Sequence, residues 1–97
     1  MILSFADQAT EDLFNGTNSR EARAIPRELW RVAARKLDMV QAAHELLDLR
    51  SPPGNRLEAL KWRLAGYHSI RINDQYRVIF KWVGQGAEKV QVLDYHS

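Results

Sequence analysis

The sequence contains no cysteine, which excludes disulfides and thiolate metal sites and is compatible with a reducing cytosol. No apolar run approaches the roughly 20 residues that a bilayer span requires. The first residues lack the charged n-region and apolar h-region of a secretory signal, so the expected location is cytoplasmic. There is no glycine-rich phosphate loop, no cysteine nucleophile and no Ser-His-Asp signature. The three histidines, His44, His68 and His96, have no ligand-like spacing, so neither a metal nor a cofactor is called for. Acids are scarce in one region. Residues 50–82 hold Arg50, Arg56, Lys61, Arg63, Arg71, Arg77 and Lys81 against only Glu58 and Asp74. Residues 1–16 show the reverse, with Asp7, Glu11 and Asp12 and no base. The net charge of +2 therefore conceals a cationic region that favours an anionic partner rather than a membrane.

What is present is enough for one domain, residues 1–97, with a modest core: 45% of the residues are hydrophobic and 27% charged, the balance of a soluble globular chain. Met1–Phe5 reads as a short opening strand. Ala6–Phe14 reads as a helix with early acids, stopped by Asn15-Gly16. Residues 17–24 are polar and read as a loop or helix lead-in. Pro26 suits a first helical turn, and Leu29, Val32, Ala33, Leu37 and Val40 follow at helical spacing. Arg27, Arg31 and Arg35 form a basic stripe on that helix, which also suits an ordinary solvated face. Helical structure is expected to continue over Gln41–Leu49, with a break near Met39, until Ser51-Pro52-Pro53-Gly54-Asn55 ends it. Leu57–Lys61 reads as a short strand or extended segment, Gly84-Gln85-Gly86 as a turn, and Lys89–Tyr95 as a final strand. The order is β-α-α followed by three or four antiparallel strands, an α+β layer with helices on one side of the sheet.

Residues 66–83 carry the clearest local signal. Two runs rich in β-branched and aromatic residues flank Asn73-Asp74-Gln75, which reads as a hairpin turn. Alternation puts His68, Ile70 and Ile72 on one side of the first strand and Ser69, Arg71 and Asn73 on the other. On the second strand Tyr76, Val78, Phe80 and Trp82 oppose Arg77, Ile79, Lys81 and Val83. Such a hairpin turns an apolar face to a core and shows Arg71, Arg77 and Lys81 on the reverse, a cationic face fit for a phosphate-bearing partner. Spacing alone leaves a plain solvated face equally open.

The end of the chain, Asp94-Tyr95-His96, places three proton-handling or hydrogen-bonding side chains in a row. Alternation sets Asp94 and His96 on one face and Tyr95 on the other. A histidine titrates near neutrality and serves as acid or base, and a neighbouring carboxylate orients its ring. A polar chain end is the plainer alternative. Combined with the cationic hairpin, the group suits RNA cleavage, which requires activation of the ribose 2′-hydroxyl, stabilisation of a charged phosphorane-like transition state and protonation of the departing 5′-oxygen.

The stretch from Pro52-Pro53-Gly54-Asn55-Arg56-Leu57-Glu58-Ala59-Leu60-Lys61, through Gly66–Phe80, to Asp94-Tyr95-His96 resembles the HigB toxins of the RelE/ParE toxin–antitoxin superfamily. The likeness extends over nearly the whole chain and is strongest over residues 52–96. It implies a RelE-like α+β ribonuclease that cuts messenger RNA in the A site of the 70S ribosome. It also implies a HigA-type helix-turn-helix antitoxin, through which alone the toxin meets operator DNA. By position, the resemblance makes Arg77 a phosphate ligand, places Arg71 where related toxins carry a strand base, and makes Asp94, Tyr95, His96 and Lys61 members of the catalytic group. Arg56, Arg63 and Lys81 join Arg71 as expected RNA contacts. Some HigB toxins place a histidine three residues before that lysine; here Glu58 stands there, a candidate base or a solvated strand residue. Trp62-Arg63 stands where Gly-Asp often follows, so the loop to Gly66 is expected to differ in shape. A ParE-like gyrase inhibitor without RNA cleavage is the alternative within the superfamily, and a non-enzymatic nucleic-acid-binding subunit is the alternative outside it.

Overall fold

A computed structural model describes residues 1–95. The chain opens extended along the last strand, with parallel bridges Ile2–Ala87 and Phe5–Val90. Ala87 N donates to Met1 O at 2.8 Å, and Leu3 N donates to Ala87 O at 2.7 Å. The expected opening strand thus exists as two separate bridges. Gly86 permits the close pass, since a Cβ there would meet Leu3 Cγ at 2.7 Å.

Helix α1 (Gln8–Asn15) starts where Asp7 accepts from Thr10 N at 2.9 Å. It ends at Gly16, whose left-handed φ of 76° suits a residue without a Cβ. The polar loop that follows is pinned by Ser19, which donates to Asp12 at 2.6 Å and accepts from Ala22 N at 3.0 Å. Pro26 precedes a 3₁₀ turn at Arg27–Leu29 that leads into α2 (Trp30–Ala42).

The helix expected over Gln41–Leu49 is not formed. Helix α2 runs unbroken past Met39 and stops at Ala42; Ala43 is extended, and Leu46–Arg50 form a separate 3₁₀ turn. A local competitor explains the stop. Asp48 accepts from His44 N at 2.9 Å and Glu45 N at 3.0 Å, while the Glu45 side chain accepts from the Asp48 backbone. This reciprocal capping box satisfies the free donors of a new turn. Beyond it, the buried Asn55 ties the Pro-rich loop to α2: it accepts from Lys36 Nζ at 2.5 Å and donates to Leu49 O at 3.1 Å and Ser51 O at 3.3 Å.

Four antiparallel strands, β1 (Glu58–Ala59), β2 (His68–Arg71), β3 (Tyr76–Val83) and β4 (Gly86–Asp94), lie in the order β1-β2-β3-β4. The last begins earlier than the expected Lys89, because the Gly84-Gln85 turn is tight enough to pair Gly86 with Val83 at once. Between Ile79 and Lys81 the register shifts by one residue on β4. Lys89 takes a φ of 55° there, the signature of a bulge.

One sheet face packs on the helices: Ile70, Ile72, Val78, Phe80, Val90 and Val92 meet Leu13, Ala33, Leu37, Val40 and Leu49. Of these, Ile70, Ile72, Val78 and Phe80 are residues that alternation along the hairpin assigns to the apolar face. The reverse face is not wholly solvated, however. Ser69 and Ile79, paired across β2 and β3, are buried, as is Leu60. Among the described residues no helix is long and apolar enough to cross a membrane.

Candidate functional site

The register turns alternation into geometry. Side chains directly opposite on antiparallel strands share a face. Arg71 opposes Arg77, which opposes Leu93. One step along the sheet, Glu58, Ser69, Ile79 and Gln91 form a parallel row. The two strand arginines and Glu58 therefore occupy one face, with an apolar floor supplied by Ile79. Ser69 Oγ, between Glu58 and Ile79, is buried with no hydrogen-bond partner among the described residues.

The hairpin turn holds the arginines. Asn73 Oδ1 accepts from Gln75 N at 2.9 Å and Tyr76 N at 2.7 Å, an Asx-type closure of the turn. Arg77 Nη1 donates to Asn73 O, and to Tyr76 O at 3.1 Å. Two carbonyls thus fix one corner of the guanidinium, while Nε and Nη2 have no acceptor among the described residues. Arg71 Nη2 meets Asp74 Oδ1 at 2.6 Å. The Arg71 hydrogen bond and charge hold the Asp74 carboxyl below its ordinary range, with Arg56 and Arg77 adding to the effect. Arg56 thus stands within electrostatic reach of the same turn.

The end of β4 closes over this group. Tyr95 N donates to Gln75 O at 2.7 Å, and the Tyr95 ring lies 5.7 Å from the Arg77 guanidinium carbon, within cation–π range. Asp94, paired with Tyr76, points to the opposite face and accepts from Gln75 Nε2 at 3.1 Å. The structure therefore separates Asp94 from Tyr95 as alternation requires, and keeps its carboxylate away from Arg77. His96 lies outside the described residues.

A cavity of about 190 Å³ opens beside Tyr95, lined also by Glu58, Lys61 and Trp62. It brings together three residues singled out in the sequence (Glu58, Lys61 and Tyr95) from β1, the following turn and the chain end. Lys81 Nζ lies 5.1 Å from the Tyr67 ring. Arg63 is exposed on the short turn Trp62–Leu64. The arrangement can bind a phosphodiester between fixed guanidinium groups and present a carboxylate, an ammonium and a phenol to it. Among the described residues no cluster of His, Cys, Asp and Glu is placed to hold a metal ion.

Sequence reasoning passed over Tyr67 and Trp62. Tyr67 was legible, since it falls on the Arg71 side by alternation. Trp62 was noticed only as an irregularity. It is 90% exposed and has a φ of 61°, a backbone conformation that glycine adopts far more readily.

Comparison with known proteins places the chain in a family. The family model described as RelE-like toxin of type II toxin-antitoxin system HigB matches residues 3–96. The chain is similar to Toxin HigB-1 of Vibrio cholerae serotype O1, with 42% identity over 97 residues covering 100% of this chain and 99% of that protein. It is 47% identical over 73 residues to an uncharacterised protein of Haemophilus influenzae, covering 75% and 71% of the two chains. Among solved structures, the fold is similar to the YoeB–YefM complex from Staphylococcus aureus, with a TM-score of 0.60, 14% identity and coverage of 100% and 99%. It is likewise similar to a YoeB/ParE toxin from Agrobacterium tumefaciens, with a TM-score of 0.53, 19% identity and coverage of 99% and 100%. With a family model matched over nearly its whole length, the chain belongs to the HigB family of RelE-like toxins of type II toxin–antitoxin systems.

Proposed function

We propose that this toxin is a ribosome-dependent endoribonuclease that cleaves messenger RNA in the A site and so stops translation. The observation that carries the reading is the convergence of Arg71, Arg77 and Tyr95 on one sheet face, beside a cavity lined by Glu58 and Lys61.

In this reading Arg77 binds the scissile phosphate and Arg71 exchanges Asp74 for RNA. Glu58 is the candidate base that takes the 2′-hydroxyl proton. The 2′-oxygen attacks phosphorus, the P–O5′ bond breaks, and His96 gives the 5′-oxygen its proton, leaving a 2′,3′-cyclic phosphate and a 5′-hydroxyl. Lys61 and Arg77 neutralise charge that builds on the phosphoryl oxygens. Tyr95 hydrogen-bonds the substrate, and Arg56, Arg63 and Lys81 steer the flanking backbone. In this reading Asp94 orients the ring of His96. The partner is a HigA-type antitoxin, and the site of action is the cytoplasm.

The test adds the purified chain to ribosomes translating an end-labelled message, beside a gyrase supercoiling assay. Cleavage with unimpaired supercoiling is expected. Blocked supercoiling with intact message would make the chain a ParE-like inhibitor instead.

A further inference from the structure

Trp62 is the most exposed large hydrophobic residue among those described, at 90%, yet its backbone is not loose. Lys61 O accepts from Leu64 N at 3.1 Å, Trp62 O accepts from Ala65 N at 3.0 Å, and Leu64 O accepts from Tyr67 N at 2.9 Å. These bonds close the 3₁₀ turn Trp62–Leu64 while Trp62 itself sits at φ 61°. A bulky side chain is strained in that region, and such strain persists where the surroundings hold it, often at sites of function. The turn thus mounts an indole in solvent at the rim of the cavity that Tyr95 and Glu58 also line.

Its immediate neighbours decide what the indole meets. Lys61 and Arg63, its neighbours in the chain, are both exposed, so two cations are available on either side of it in sequence. The exposed apolar residues Met1, Leu3 and Val83 line one cavity beside the end of α2, whereas the exposed Tyr95 shares the cavity of Trp62. Trp62 therefore stands apart from the contiguous apolar patch on which a protein interface core is built. Exposed aromatic faces with cations near them in the chain are the construction that holds single-stranded RNA: the base stacks, and the cations take the adjoining phosphates.

We propose that Trp62 is a stacking platform for an unstacked base next to the scissile phosphate, and so a positioning residue for cleavage. This rests on the ribonuclease reading above. Stacking accepts every base, so the platform raises affinity for the message without choosing its sequence.

The test is single-turnover cleavage of ribosome-bound message by the full chain, with the ribosome complex titrated. Because Trp62 is exposed, Trp62→Ala is expected to keep the circular dichroism spectrum and melting temperature of the parent. Trp62→Ala should raise the half-saturating concentration of ribosome complex by roughly 5- to 150-fold, the range that loss of one base–aromatic stack gives. Trp62→Tyr should stay within a few-fold of the parent. Removing the base of the flanking nucleotide should weaken the parent and leave Trp62→Ala little changed. Half-saturation of Trp62→Ala at the parental concentration, while the parent cleaves, overturns the platform and leaves the ribonuclease reading intact. Loss of antitoxin binding by Trp62→Ala with unchanged cleavage would likewise overturn it, making the indole a protein anchor. A parent that cleaves no message removes both proposals together.

Discussion

The Tyr95 ring lies 5.7 Å from the Arg77 guanidinium carbon, so the end of β4 covers the arginine at the middle of the sheet's cationic row. That contact joins the two stretches of sequence in which chemistry was expected, the 66–83 hairpin and the Asp94-Tyr95-His96 end. It also orders the proposed roles: phosphate on Arg77, substrate against Tyr95, proton donor one residue beyond.

Arg77 is the residue whose loss should matter most for chemistry. Arg77→Ala is expected to lower the single-turnover cleavage rate by roughly 10² or more. Arg77→Lys should recover only part of this, since an ammonium keeps charge but lacks the planar fork. Rapid-quench cleavage of ribosome-bound message, with circular dichroism as a control for folding, checks this. A folded Arg77→Ala that cuts at the parental rate contradicts the assignment.

The chain end separates acid from base. His96→Gln is expected to lower cleavage by about 10² to 10⁴, the usual contribution of an acid–base group, while ribosome and antitoxin binding persist. Tyr95→Phe keeps a ring over Arg77 and removes only the hydroxyl, so its loss should be smaller. Glu58→Gln discriminates: a loss as large as that of His96→Gln makes Glu58 the base, and a mild effect makes it structural. Pull-down on ribosomes and antitoxin beside the cleavage assay reads both properties.

Fold and site were legible to different degrees. Alternation along β2 and β3 correctly assigned Ile70, Ile72, Val78 and Phe80 to the core and Arg71 and Arg77 to the reverse face, because a two-residue period has little freedom once the turn is fixed. The Gly16 stop of α1 was likewise legible, but the helix was expected from Ala6 and starts at Gln8, after the Asp7 cap. The extra helix over Gln41–Leu49 was misread because Leu46, Leu47 and Leu49 continue an apolar pattern, and the Glu45/Asp48 capping box was not weighed against it. The burial of Ser69 and Ile79 on the cationic face depends on tertiary cover, which alternation cannot reveal. The positive φ of Trp62 is equally invisible to pattern, since nothing about a tryptophan announces a position suited to glycine.

The buried Lys36–Asn55 pair should govern alkaline stability. Burial, and then the charges of Arg35 and Arg71, draw the Lys36 pKa below its ordinary 10.5. The folded state therefore binds the proton less tightly than the unfolded one, and stability rises as pH climbs through the folded pKa towards 10.5. Urea-unfolding midpoints across this range should increase for the parent and lose that increase in Lys36→Met. Asn55→Ala leaves the ammonium without its partner and should cost about 2–4 kcal/mol near neutral pH. Equal pH slopes in parent and Lys36→Met would contradict a lowered Lys36 pKa.

Acid stability should depend on the capping box. The backbone donors of Glu45 and His44 hold the Asp48 carboxyl below its ordinary 3.8. Its stabilising contribution is thus complete above that value and lost as pH falls through the lower folded pKa. Asp48→Asn should melt at a lower temperature than the parent at neutral pH, with the gap closing below about pH 4. A gap of constant size across the titration would show that the carboxylate charge is immaterial there.

The central claim is most directly tested by comparing cleavage of one end-labelled message, free and held in the A site of 70S ribosomes, with the cut position and end chemistry mapped. Positioning of the reacting groups can account for several kcal/mol of barrier lowering, which is the contribution expected of the ribosome. The account predicts a discrete A-site cut bearing a 2′,3′-cyclic phosphate, abolished or greatly slowed by Arg77→Ala, and little cleavage of the free message. Equal rates on free and ribosome-bound message, or an A-site message left whole, would contradict it.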